Sequence, residues 1–281
     1  MRRGLHLDDV PQRGLAALEA VEARVGAVQI VHWFQAWGGG YKSFRSAWFD
    51  RVTSSGRVGL ISWEPWEPTG EVCQPAFAPA TIVSGAHDAY IDSWADGFAA
   101  RHDGPWYLRP MHEMNGDWYP WAGGVDGTTP ELYREAWQHL HQRFAAAGAT
   151  NVAWVWCPLA DDVSGPFEEY YPGDAFVDIL ALDGYNWGAA TPEFGGWRNP
   201  SQIFAEPYRR LTALGPQPIW FAEVGCAPDG GDKARWVEAV LDPSGLERLA
   251  AVIFFGLNKE RDWRIDADTN VAAAVRTTSI G

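Results

Sequence analysis

"WYLRPMHE" (106–113), "PELYREAWQHLHQRFAAAG" (130–148) and "NVAWVWCP" (151–158) follow one another in the chain and together decide the fold. The first and third runs are almost continuously apolar, as a parallel strand covered on both faces must be. The segment between them is helical in pattern. Pro130 stands where a first helical turn favours proline and Gly148 where a helix stops. The unit therefore reads strand, helix, strand.

Working outward, the same unit recurs. Apolar runs stand at "RGLHL" (3–7), "AVQIVHWF" (27–34), "VGLISWEPW" (58–66), "DILALDGYN" (178–186), "PIWFAEVG" (218–225) and "AAVIFFGLN" (250–258), which makes eight in all. Helical segments such as "QRGLAALEAVEARV", "HDAYIDSWADGFAARH", "SQIFAEPYRRLTAL" and "GDKARWVEAVL" separate most of them. The fifth unit is the weakest, because "DDVSGPFEEYYPGDAF" has room for only a short helix. No linker, low-complexity tract or shift in composition divides the chain. The expectation is an α/β fold, a single (β/α)8 TIM barrel over residues 1–281.

Composition bounds the partners. Apolar residues make up 47% and charged residues 21%, ordinary values for a globular chain. A net charge of −14 repels a phosphate backbone, and no dense basic tract creates an exception, so nucleic acid is excluded as an expected partner. No window approaches the ~20 apolar residues that a membrane helix needs, and no signal peptide opens the chain. Tryptophan is over-represented, at 17. Three scattered cysteines, Cys73, Cys157 and Cys226, make neither a disulfide scaffold nor a zinc ribbon. They read as buried or free thiols, with Cys73–Cys157 and Cys157–Cys226 as the pairings to check.

A barrel carries its chemistry at the C-terminal ends of its strands. The polar residues at those ends are His32, Glu64, His112, Glu113, Asp183, Tyr185, Glu223 and Asn258. Glu113 ends the fourth run and Glu223 the seventh, across the mouth from each other. Two carboxyl groups facing one cleft are the minimum equipment for glycoside hydrolysis: one held protonated for the leaving oxygen, the other ionised. Arg109 and His112 share a strand with Glu113, and the Tyr185 hydroxyl is placed to donate to Glu223. Glu64, flanked by Trp63 and Trp66, is a rival acid that reads better as part of a sugar-binding wall. Asp183 either orients Tyr185 or binds a hydroxyl. Trp33, Trp37, Trp63, Trp66, Trp118, Trp121, Trp187 and Trp263 fall at strand tips, where sugar faces stack. Trp94, Trp137 and Trp236 lie within helical patterns and are assigned to packing.

Other chemistries lack an anchor. "HEMNG" places Gly116 where the zinc motif HExxH needs its second histidine. His139 and His141 are two apart on a helix and do not face the same way. No GxGxxG follows a strand, and neither a phosphate-binding GxxxxGK[ST] nor a GxSxG elbow occurs. No metal and no cofactor are expected.

With those residues in view, the chain resembles glycoside hydrolase family 26, the retaining β-mannanases and relatives among the clan A barrels. The resemblance rests on "RPMHEMNGDW", with Arg109, His112, Glu113 and Trp118, on "LDGYNWG" with Tyr185 and on "FAEVGC" with Glu223; "ISWEPW" and "KERDWRID" also look familial. It implies Glu113 as acid/base, Glu223 as nucleophile and Tyr185 as the residue that orients it. It further implies Trp63 and Trp263 as cleft walls and His32 as a contact on the glycone side, with Arg109, His112 and Asp183 as candidates for reading sugar hydroxyls. The implied activity is retaining endo-hydrolysis of β-1,4-mannan. Mixed-linkage β-1,3-1,4-glucan and β-1,3-xylan are the alternative substrates within the family. A non-catalytic carbohydrate-binding barrel is the alternative from another class. The resemblance implies secretion, with a cytoplasmic location as the alternative, and the chain is short for the family; a monomer acting on a β-linked polysaccharide or oligosaccharide is expected.

Overall fold

The computed structural model describes residues 1–39 and 43–278. Eight strands, β1 (Arg2–His6), β2 (Ile30–Ala36), β3 (Val58–Glu64), β4 (Trp106–Pro110), β5 (Val152–Trp156), β6 (Ile179–Asn186), β7 (Ile219–Cys226) and β8 (Leu249–Phe255), pair in parallel. They close on themselves in sequence order, β8 returning to β1. Helices α1 (Ala16–Val25), α2 (Ser46–Ser54), α3 (Pro79–Val83), α4 (Asp88–Ala99), α5 (Pro130–Ala146), α6 (Pro200–Leu214), α7 (Lys233–Val240) and α8 (Thr269–Thr277) fill the connections. This is the (β/α)8 barrel that the repeating unit predicts. The fifth connection holds only two short 3-10 turns, Phe167–Tyr170 and Asp174–Phe176. No described helix is long and apolar enough to cross a membrane.

Local chemistry sets the ends of the helices. The Thr129 hydroxyl accepts from the backbone N–H of Leu132, and Pro130 opens α5. Asn199 and Gln202 form a reciprocal capping box at the start of α6. Both devices satisfy N–H groups that a helix start leaves without partners.

Two apolar layers result from strand alternation. Ile30, Leu60, Tyr107, Val155, Ala181, Trp220, Ala222, Ala251 and Ile253 point into the barrel. Val31, Ile61, Leu108, Trp154, Leu180 and Phe221 point out, against the helices. Above the inner apolar layer, toward the C-terminal mouth, the inward positions become polar: His32, Ser62, Glu64, Arg109, Asp183 and Glu223, all buried.

The outer layer is tight enough to dictate one glycine. Gly59 on β3 lies between the indoles of Trp33 and Trp106, both buried, and a Cβ there would stand 2.7 to 2.8 Å from their ring carbons. Neither ring has room to retreat. Gly59→Ala is expected to destabilise the protein by roughly 1–3 kcal/mol through overpacking, read as a lower urea midpoint with an unchanged m-value.

Candidate active site

Arg109 is the centre of the polar layer. It sits at an inward position of β4 with no exposed surface. Its Nη1 donates to Asp183 Oδ1 and Oδ2 at 2.7 and 2.6 Å. Nη2 donates to Glu223 Oε1, and Nε and Nη2 donate to Ser62 Oγ at 2.9 and 2.6 Å. Burial works against the guanidinium's charge, but the carboxylates of Asp183 and Glu223 outweigh it and hold the Arg109 pKa above its ordinary value. His32 stacks into the same layer, with Nε2 2.7 Å from Ser62 Oγ and 3.3 Å from Arg109 Nη2. Burial, then the charge of Arg109, holds both His32 and His112 well below the usual histidine range, so both rings are neutral at pH 7.

Glu223 reaches this layer because β7 carries an extra residue. Leu182 pairs with Phe221 and Asp183 with Glu223, and on the other side Phe221 and Val224 face Val252 and Phe254. Ala222 is the insertion. Strict alternation after the inward Ala222 would turn Glu223 toward the helices. The bulge re-aims it into the barrel, a common use of bulges beside active sites. There the Tyr185 hydroxyl donates to Oε2 at 2.6 Å while Arg109 holds Oε1. Both partners stabilise negative charge on that carboxylate. His112 Nε2 lies 3.9 Å from Oε1.

Glu113 is positioned differently. The fourth strand ends at Pro110, short of the expected end at residue 113, and the chain turns through left-handed backbone at Met111 (φ 45°) and Glu113 (φ 53°). Such angles strain a side-chain-bearing residue and persist only where the surroundings enforce them. Here the Glu113 N–H donates to Cys157 O at 2.8 Å, Trp121 Nε1 to His112 O at 2.7 Å and the Tyr133 hydroxyl to Met111 O at 2.9 Å. Asn115 ties the segment to the next loop through the backbone of Leu159. Trp118 folds back over Gly116, where a Cβ would lie 2.6 Å from the indole, and its Nε1 donates to Glu113 Oε2 at 2.8 Å. Burial first, and then the negative charge of Glu223, push the Glu113 carboxyl up to about 8.

Of the residues that the sequence nominated, Arg109, His112, Glu113, Trp118, Tyr185 and Glu223 meet at one mouth. Others need correction. Trp63 is an outward residue of β3 with no exposure, packed against Trp94, Tyr90 and Phe144, so it belongs to the helix layer and not to the cleft. The alternation that buries it turns its neighbours Ser62 and Glu64 inward. His32 and Asp183 have no exposed surface and contact Arg109, so they support the site from below instead of meeting a sugar. Trp263 lies beside Tyr185 and Trp187, but its face is covered in this conformation, at 1% exposure. Trp33, Trp37 and Trp121 are likewise core, as are Trp94, Trp137 and Trp236. Asn258 stands past β8, bridged to Asp262.

Glu64 is a third carboxyl at the mouth. Trp66 Nε1 donates to its Oε2 at 3.1 Å, and His112 Nε2 lies 4.0 Å from its Oε1. Burial pushes it up to about 8. Tyr119, which sequence reasoning passed over, places its hydroxyl 3.2 Å from His112 Nε2. Its only signal is its place, two residues after the aspartate of "NGDWYPW".

His112, Asp183 and Glu223 bring ligand-type atoms within 4.8 Å of one another. The cation between two of them is already Arg109, and a metal ion would face that fixed charge, so the donor set does not fit one. None of the three cysteines forms a disulfide. Cys157 Sγ donates to Asp183 Oδ1 at 3.1 Å under the site, and Cys226 accepts from Asn186.

A closed parallel barrel with two glutamates in contrasting environments at its mouth, one beside an arginine and a tyrosine, is the class of protein that the fold and site define. Residues 86–220, which include Arg109, His112, Glu113, Asp183 and Tyr185 and stop short of Glu223, match the family described as glycosyl hydrolase family 26. That stretch, just under half of the chain, is what is similar to the family. The chain is 37% identical over 255 residues to Endoglucanase H of Acetivibrio thermocellus, covering 89% of this chain and 27% of that protein. A mannan endo-1,4-beta-mannosidase of Bacillus subtilis is 32% identical over 172 residues, 58% of this chain and 43% of that one. The chain thus spans about a quarter of the first relative's length and under half of the second's. A GH26 beta-mannanase from Bacteroides ovatus superposes with a TM-score of 0.72 at 20% identity, over 98% of this chain and 86% of that structure, which shows the shared fold.

Removing the central cation tests the electrostatics. Arg109→Leu leaves Asp183 and Glu223 buried without their partner, at an expected cost of about 3–5 kcal/mol in stability at pH 7. The deficit should shrink as the pH is lowered and Asp183, whose carboxyl burial already pushes above its usual range, takes up a proton. Urea denaturation of both proteins at pH 7 and pH 5 checks both statements.

Proposed function

We propose that the chain is a retaining, endo-acting glycoside hydrolase that cuts a β-linked hexose polysaccharide by double displacement. The observation that carries this reading is the contrast between the two glutamates. Glu113 keeps its proton near neutral pH, while Glu223 accepts hydrogen bonds from both Arg109 and Tyr185. In the first step Glu223 Oε2 or Oε1 attacks the anomeric carbon, the glycosidic bond breaks, and Glu113 gives its proton to the leaving oxygen. Trp118 donates to Glu113 Oε2, which leaves Oε1 to carry that proton. In the second step the Glu113 carboxylate takes a proton from water, the resulting hydroxide attacks the anomeric carbon, and Glu223 leaves as a carboxylate.

β-1,4-Mannan is the first substrate proposed, because mannan endo-1,4-beta-mannosidases of Bacillus subtilis match 57% and 58% of this chain, and the family match takes in Glu113. A second reading, β-1,4- or mixed-linkage glucan, is favoured by a specific observation: the match that covers 89% of this chain is to a protein named an endoglucanase. The two hexoses differ in one hydroxyl, so polar groups at the reacting ring must discriminate, at about 1–3 kcal/mol per unpaired group. Comparing kcat/KM on mannohexaose and on a mixed-linkage glucan oligosaccharide orders the two. Proton NMR of the first product is expected to show the β anomer. An α anomer first, or full turnover in Glu223→Ala, would remove the double-displacement reading.

The pH dependence follows from Glu113. Below about 8 it holds the proton that the first step needs, and above that value the proton is gone. The kcat/KM profile on the better substrate is therefore expected to fall on the alkaline side with an apparent pKa near 8 that belongs to the coupled pair. A profile flat to pH 10 would take Glu113 out of the acid role.

A further inference from the structure

Phe194 is a large apolar side chain on the surface, 54% exposed. A single exposed ring needs no explanation in general. Two features set this one apart. Its ring packs on Trp187 at 4.6 Å and 31°, and Trp187 lies 6.1 Å from Tyr185, whose hydroxyl holds Glu223. Tyr185 and Trp187 are half-buried and Phe194 exposed, so the three rings lead from the nucleophile's partner to open solvent over the buried Trp263.

The loop that presents Phe194 is also braced. Thr191 Oγ1 donates to Trp187 O at 2.6 Å, and the Phe194 N–H donates to Thr191 O at 3.1 Å. Asp229, in the loop after β7, accepts from the Ala190 N–H at 2.7 Å and pairs with Arg261 in the loop after β8. Three mouth loops are thereby joined. A ring fixed in this way loses little freedom when a flat partner settles on it.

We infer that Phe194, backed by Trp187, is an outer binding subsite that stacks the apolar face of a hexose lying beyond the sugars that flank the cleaved bond. The inference rests on the proposed glycan substrate and extends it to one named platform. Aromatic rings take pyranose faces through their apolar area, with little regard for which hydroxyl is axial. The subsite therefore lengthens the chain that the cleft recognises without choosing between mannan and glucan.

The test uses Phe194→Ala and Phe194→Tyr. Initial rates are measured on oligosaccharides of rising length from whichever glycan the wild-type protein cleaves. Binding of the soluble polysaccharide is compared in parallel by affinity electrophoresis. For Phe194→Ala the ratio of kcat/KM on the longest to the shortest cleavable oligosaccharide is expected to fall roughly 3- to 10-fold, with weaker retardation by polysaccharide. Phe194→Tyr is expected to restore both. An equal loss at every length, or none at any length together with unchanged retardation, would overturn the subsite. If the wild-type protein cleaves no glycan, the hydrolase reading fails while the binding comparison still decides on Phe194.

Discussion

The buried guanidinium of Arg109 is the constraint on which the rest of the site depends. Taking one charge out of water costs several kcal/mol, and only close, well-directed partners offset it. Asp183, Glu223, Ser62 and His32 supply them from four other strands. Each partner is in turn fixed by Arg109. The polar layer is a single electrostatic unit, and the apolar layer below it excludes the water that would weaken it.

That unit separates the two glutamates. Glu223 is drawn into the layer by a one-residue insertion in β7 and is held there by Arg109 and Tyr185. Glu113 stands outside the layer, on strained backbone beyond β4, where burial and the neighbouring negative charge favour its proton. Identical side chains thus stand in different surroundings, Glu223 bonded to Arg109 and Tyr185 and Glu113 to Trp118. The strain at Met111 and Glu113 is maintained by hydrogen bonds from Tyr133 and Trp121 and by the one that the Glu113 N–H donates to the Cys157 carbonyl, so α5 and the residue after β5 take part in holding Glu113 in place.

The tryptophans divide according to which way the pleat turns them. Trp33, Trp63, Trp94, Trp106 and Trp137 thicken the layer between barrel and helices. Trp66, Trp118 and Trp187 stay near the mouth, two of them as hydrogen-bond donors to Glu64 and Glu113. Size and an apolar face suit indole to either post, so a tally of tryptophans near strand ends overstated the cleft.

The sequence by itself determined the barrel, because eight apolar runs separated by helical segments admit few other arrangements, and strand ends must then carry the chemistry. It also nominated Glu113 and Glu223 as candidate acids, since both lie next to strand ends. Only the tertiary structure decided that Trp63 faces the helices, that His32 and Asp183 lie beneath the site, and that Glu64 joins the mouth. Those outcomes turn on a single residue of pleat or bulge, and one residue moves a side chain to the opposite face of a sheet. The insertion at Ala222 leaves no mark in composition or periodicity. On the inner face Glu223 meets Arg109, which arrives from another strand.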